Sequence, residues 1–238
     1  MPSSLAGQDQ RRRALLLLGI AFASIALWQT ALGSLLLFPF TILATWFHEM
    51  GHGLAALLTG RGFERLLIFA DGSGVAESWR PADGYRLTDA LVAASGPLGP
   101  AIAGALLILA SRSPTATRNA LAALGAALIL STLIWVRSPI GWLVLPALGL
   151  AIAALALRAP PAWQGFVIQL LGVQAAISAW RQFGYLFSPG GNVGGEPHRS
   201  DTAAIADVLL LPYWFWGTLI SAAILALLWG SFRVAFRR

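Results

Sequence analysis

Two histidines stand four residues apart in the run TWFHEMGHGLAALLTG, Thr45–Gly60, with a glutamate directly after the first. The pentapeptide His48-Glu49-Met50-Gly51-His52 is an H-E-x-x-H. On a helix, residues four apart share a face, so both imidazoles can reach one ion. Glu49 projects beside that face, where a carboxylate can take a proton from an attacking water and pass it to a leaving amine. The spacing therefore predicts a metal site with its own general base. The surroundings sharpen the reading. The run is otherwise apolar, and an ionisable side chain in hydrocarbon costs roughly 2.5–3.5 kcal/mol or more, so it marks a functional site.

A catalytic zinc takes three protein ligands and keeps one position for water. The chain has no cysteine, so the third ligand must be a histidine or a carboxylate. Asp201, Asp207 and His198 are the candidates, in that order. Asp201 opens the last hydrophobic block in HRSDTAAIAD. It suits an N-cap as well as a ligand, since a carboxylate favours the positive end of a helix. Asp207 lies nearly two turns deeper, and His198 stands in a loop rich in glycine and proline.

The elements that must carry these residues are membrane helices. Of 238 residues, 57 % are apolar and only 11 % charged, against roughly 25 % charged in soluble chains. The apolar residues fall into blocks of about 18–25, the length that crosses a bilayer core. The blocks are Ala14–Thr30, Phe38–Leu58, Leu87–Ala110, Ala120–Trp135, Ile140–Leu157, Phe166–Phe187 and Ala203–Trp229. The expected fold is an all-α polytopic membrane protein of six or seven transmembrane helices. Arg11–Arg13 place the N-terminus on the cytoplasmic side, ahead of a retained first span and not a cleaved signal. All 16 basic residues are arginine and the net charge is +6. Arginines flanking spans mark lipid head groups and orientation, so no nucleic-acid partner is inferred. The arginine bias, with heavy Ala and Gly use, points to a GC-rich bacterial genome, and the expected setting of the spans is a bacterial inner membrane.

Residues 1–13 form an N-terminal tail, 14–230 one transmembrane domain and 231–238 a basic C-terminal tail. Within the domain, residues 62–80 carry eight-residue and five-residue β-prone runs, Phe63–Ala70 and Val75–Trp79, around DGSG, a hairpin signal. Residues 188–200, SPGGNVGGEPHRS, read as a flexible loop. The tryptophans near block ends, such as Trp142 and Trp214, suit interfacial belts.

Taken together these residues resemble the site-2 proteases, a family of intramembrane zinc metalloproteases, and most closely its small bacterial members without a PDZ domain. Four features carry the resemblance: the H-E-x-x-H inside a span, the hairpin after it, SGPLGP at Ser95–Pro100, and a late aspartate in SDTAAIA. SGPLGP is similar to the family's A-G-P-x-x-N element, with Pro100 where the family has asparagine. The resemblance implies one Zn2+ per chain held by His48, His52 and Asp201, with Glu49 as the general base. It also implies that Gly96 and Pro97 shape the span facing the site, and that the hairpin, with Phe69 and Gly74, presents a membrane-protein substrate. The rival expectation is a non-catalytic transporter or a metal-binding scaffold on a decayed protease fold.

Overall fold

The computed structural model describes residues 15–16, 18–79 and 86–235. The expected N-terminal tail, Arg80 and the last three residues lie outside it. Apolar helices dominate because the sequence supplies runs of Leu, Ala and Ile with few charges. In chain order the described elements are α1 (Leu18–Trp28), α2 (Ala31–Leu36), α3 (Phe38–Leu58), β1 (Gly62–Ile68), β2 (Gly74–Trp79), α4 (Arg86–Ala110) and α5 (Pro114–Ile134). There follow α6 (Pro139–Arg158), α7 (Pro161–Arg181), α8 (Phe183–Leu186), β3 (Gly190–Val193), β4 (Glu196–Arg199), α9 (Asp201–Val208) and α10 (Tyr213–Ala235).

The protein is an all-α polytopic membrane protein with two small antiparallel hairpins. Among the described residues, five segments are long and apolar enough to cross a bilayer: α4, α5, α6, Pro161–Leu186 and α10. Helix α3, at 21 residues, is of similar length, but the polar residues of the opening motif dilute its apolar character. Its bounds are those expected. The blocks Ala120–Trp135 and Ile140–Leu157 are two full-length helices, α5 and α6, because each begins at a proline ahead of its apolar run. Pro114 and Pro139 occupy first-turn positions, where the missing N–H has no helical partner to lose.

Two expectations are corrected. The last block is not one span: α9 ends at Val208, and Leu211, at φ 96°, turns the chain before Pro212 and α10. The segment 188–200 is not a plain loop but the β3–β4 hairpin, closed by Gly194 and Gly195 at φ 58° and 89°. Both are left-handed values that glycine adopts at no steric cost.

Helix α4 is the hub, packed against α3, α7, α9 and α10. Lipid offers helices no hydrophobic reason to associate, so close approach falls to small residues. Where α3 meets α4, a Cβ on Gly51 would sit 2.4 Å from the Ser95 carbonyl oxygen, and one on Gly99 2.3 Å from that of Phe47. Gly125 and Gly149 serve the α5–α6 contact in the same way, each facing the other's carbonyl at 2.8–2.9 Å.

The first hairpin lies across α3. Phe63, Leu66 and Ile68 are all buried, although strict alternation would set Phe63 opposite the other two. An irregularity between Phe63 and Arg65 inserts the extra residue that restores a common face. The edge of β1 away from β2 is occupied. Leu66 N–H donates to the Trp135 carbonyl (2.9 Å), its carbonyl accepts from Arg137 N–H (3.0 Å), and Ile68 N–H donates to Ser138 Oγ (2.8 Å). Leu66 and Ile68 thus point away from β2. Their partners Ala76 and Gly74 must then point away from β1, as alternation in an antiparallel ladder requires. Beyond the ladder, no backbone hydrogen bond joins either residue to another described residue. The open edge of the hairpin is therefore β2.

Candidate metal centre

His48 is the eleventh of the 21 residues of α3, which puts it about 15 Å from either end of the helix. The i, i+4 spacing brings its imidazole beside that of His52, with the two Nε2 atoms 3.1 Å apart. Asp201 reaches both from α9, Oδ2 at 3.2 Å from His48 Nε2 and Oδ1 at 3.2 Å from His52 Nε2. A tetrahedral zinc with bonds of about 2.0–2.1 Å would set its ligands about 3.3–3.4 Å apart. The three groups stand at nearly that separation, each with 13–15 % of its side chain exposed.

The hydrogen bonds behind the rings decide what these atoms are. His52 Nδ1–H donates to the Val92 carbonyl at 2.7 Å. His48 Nδ1–H donates to Gln182 Oε1 at 3.2 Å. With the protons on Nδ1, both Nε2 atoms present bare lone pairs to each other and to a carboxylate. Asp201 Oδ2 is buried and has no donor. Three acceptors thus face one another with no proton among them, and a proton shared by two would leave the third unsatisfied. One cation satisfies all three. This donor set, imidazole nitrogens oriented by outer hydrogen bonds plus one carboxylate, fits zinc.

Asp201 is free for this because another residue caps the helix. Ser200, fully buried, accepts the Ala203 N–H (3.2 Å) and donates to the Ser188 carbonyl (2.6 Å). Thr202 Oγ1 donates to the Leu186 carbonyl at 2.8 Å, so the start of α9 is fastened on both sides of the carboxylate. The other two candidates stay outside the cluster. Asp207 pairs with Arg199 at 2.7 Å with half its side chain exposed, and His198 is exposed on β4.

Gly96 sits against both imidazoles. A Cβ there would fall 2.1 Å from His52 Nε2 and 2.8 Å from His48 Nε2. Pro97, buried inside α4 with Pro100, follows directly; the two lack the N–H groups that Ala93 and Gly96 carbonyls would accept in a regular helix. Glu49 is 6 % exposed and faces the hairpin: a Cβ on Gly74 would meet its Cγ at 3.0 Å and Thr45 Cγ2 at 2.6 Å. Thr45 Oγ1 donates to the Gly72 carbonyl, tying the turn to α3. Phe69 lies instead under the tip of the second hairpin, its ring 2.7–2.8 Å from where a Gly194 Cβ would be. Gly194 N–H donates to Ser73 Oγ at 3.0 Å, so the two hairpin tips touch. In the first turn, Asp71 accepts from the backbone N–H and hydroxyl of Ser73, which holds its pKa below the ordinary carboxylate value. The residue the sequence does not single out is Gln182. Its only signal is an amide near the end of an apolar block.

Two substitutions test the geometry. Gly96→Ala improves helix propensity by about 1 kcal/mol, yet it should abolish stoichiometric metal binding, because its Cβ occupies the ligands' place. Gln182→Leu should keep the fold and weaken the metal about 10- to 100-fold, measured by competition against a chelator. Full metal content in Gly96→Ala protein would exclude this arrangement.

Residues 17–231 match the family described as Peptidase M50B-like. No curated protein matches the chain, and no solved structure does. The match spans nearly the whole sequence, from α1 through α10, and includes every residue of the His48, His52 and Asp201 cluster. The chain belongs to the Peptidase M50B-like family, the site-2 protease family that its motifs resemble.

Proposed function

We propose that the protein is a zinc metalloprotease that hydrolyses peptide bonds of membrane-spanning substrates. The observation that carries this reading is the convergence of His48, His52 and Asp201 at the middle of a 21-residue helix, with Glu49 next to the first ligand. His48, His52 and Asp201 hold Zn2+, one per chain. Bound there, zinc would supply a Lewis acid for the scissile carbonyl and for the attacking water. Glu49 takes the proton of the attacking water and returns it to the leaving amine, work that contributes about 10²- to 10⁴-fold.

A transmembrane helix satisfies its peptide groups internally, so it must unwind locally before it can be cut. The open edge of β2 supports a place for the unwound segment. A strand added there would pair with the outward groups of Gly74 and Ala76. Gly74 lies against Glu49, so pairing at this edge brings a substrate backbone beside the base. Gly96 and Pro97 form the wall opposite, and the Phe69–Gly194 contact bounds the hairpin end. The partners are the bilayer and a membrane-protein substrate, and the arginine-only basic complement supports a bacterial cytoplasmic membrane as the setting.

Glu49→Gln tests the chemistry. Purified and reconstituted, it should retain near-stoichiometric zinc while cleavage of a membrane substrate falls at least about 100-fold. Retained turnover would remove Glu49 from the role of base, and an unaltered chain that binds no zinc and cleaves nothing would return the protein to a non-catalytic role. Ala76→Pro tests the edge. Proline removes one outward N–H without touching the β1 ladder, so kcat/KM should fall about tenfold, mainly through KM, at an unchanged Tm. An unaltered KM would exclude strand addition at β2.

A further inference from the structure

A second polar feature sits at the depth of the metal ligands. Between α1, α3 and α7 lies a cavity of about 230 Å³, walled by Trp28, Thr41, Thr45, Ser178, Arg181 and Gln182. Two of these belong to the walls of the metal centre: Gln182 holds His48, and Thr45 is one turn before Glu49. A larger, mainly apolar cavity of about 890 Å³ runs on between α1, α7, α8 and Phe232 of α10. Trp28, Ile177 and Arg181 line both, so Arg181 stands where the two meet.

Of the polar groups of the small cavity, Gln182 Oε1, Thr45 Oγ1, Ser178 Oγ and Gln174 Nε2 are hydrogen-bonded, whereas Arg181 and Trp28 bring donors that are not. Gln182 Oε1 accepts from His48, and Thr45 donates to Gly72. The Arg181 guanidinium lies 3.8 Å from the Trp28 ring centroid and has no carboxylate partner among the described residues. The Trp28 indole Nε1 is buried without an acceptor. Both groups only donate. The buried indole N–H is costly without an acceptor, the guanidinium of the exposed Arg181 lies over the same ring, and an anion with free lone pairs satisfies both.

We propose that this cavity is a subsite that receives an acidic side chain of the substrate close to the scissile bond. The inference rests on the protease reading and extends it to a substrate class. Two anions compete for such a site, a peptide carboxylate and a lipid phosphate. Position decides between them. Gln182, adjacent to Arg181, bonds to His48, which sets the cavity at the level of the bond to be cut, whereas phosphates lie outside the hydrocarbon core. A substrate side chain reaches that level as part of the segment being cut. A carboxylate there gains a charge-assisted bond to the guanidinium, and Trp28 holds that guanidinium by its ring face.

The test uses the full-length protein in vesicles and a synthetic transmembrane peptide that it cleaves. Glu, Gln or Lys is placed at one position at a time on either side of the cleavage point. At one position, the unaltered protein should favour Glu over Gln about tenfold in kcat/KM. Arg181→Gln should bring that ratio to about one. Arg181→Glu should move the preference to Lys, an exchange that mere loss of packing cannot produce. Equal cleavage of Glu and Gln peptides at every position would overturn the proposal, as would a ratio that survives Arg181→Gln. Vesicles of phosphatidylcholine, with and without phosphatidylglycerol, separate the lipid source. Activation by phosphatidylglycerol that depends on Arg181, without a Glu preference, would assign the cavity to lipid and overturn the proposal. Binding of the same peptides to Glu49→Gln protein keeps the two readings distinct. A Glu preference in binding, without turnover by the unaltered chain, would sink the protease reading and sustain the subsite.

Discussion

Three acceptors within about 3.2 Å of one another, halfway along a membrane-depth helix, impose the condition that the rest of the structure meets. Two bare imidazole nitrogens and a carboxylate repel each other and are costly to desolvate. They stay together only if the backbone that carries them is fixed independently and a cation lies among them. Each acceptor is held from behind: His52 by the Val92 carbonyl, His48 by Gln182, Asp201 by a helix start fastened through Ser200 and Thr202. Four separate elements thus contribute to one ligand set.

The division of labour at the start of α9 shows how closely this is arranged. Ser, Asp and Thr in succession offer three side chains that can each bond backbone. Ser200 takes the cap and Thr202 the neighbouring chain. The residue between them is left with no structural bond to make, and its carboxylate turns to the histidines. The β3–β4 hairpin belongs to the same arrangement. Its base passes directly into Ser200, its tip rests on Phe69 and Ser73 of the first hairpin, and Tyr185 donates to the Arg199 carbonyl at its end. The segment that delivers Asp201 is therefore braced against the hairpin that faces Glu49.

How far the sequence reveals this depends on where each signal resides. The H-E-x-x-H is legible because its chemistry is local: spacing alone puts two ligands on one face, and α3 has the bounds the apolar block predicts. Asp201 ranks first among the candidates on position, but what frees it is Ser200, a three-dimensional fact that a sequence leaves ambiguous between two capping residues. Residues 188–200 read as loop because GGNV and EPHR carry no alternation of apolar and polar side chains. Gly194-Gly195 is nonetheless a hairpin signal that composition obscured. The break before α10 is equally hidden. Leu209–Leu211 continues the apolar run, and only Pro212 hints that the helix cannot. Gln182 and Arg181 fall inside one apolar block, so their relation to His48 and to Trp28 emerges only when α1, α3 and α7 are brought together.

The precision of the site follows from the solvent in which it works. Large apolar side chains such as Leu106, Leu133, Leu143, Leu150 and Leu219 are exposed, the arrangement of a protein dissolved in hydrocarbon. Their burial against lipid favours no particular helix geometry. What fixes the distance between α3 and α4 is steric: glycines let backbone meet carbonyl, and nothing shorter is possible. Gly51 and Gly99 set the approach, and Gly96, between them on the facing helix, leaves the hollow that the imidazoles fill. In water a core could tolerate a slightly different spacing by repacking larger side chains. Here the contact is between backbones, which have no rotamers to adjust. A site needing its ligands within a few tenths of an ångström is thus carried by the helix interface least able to vary.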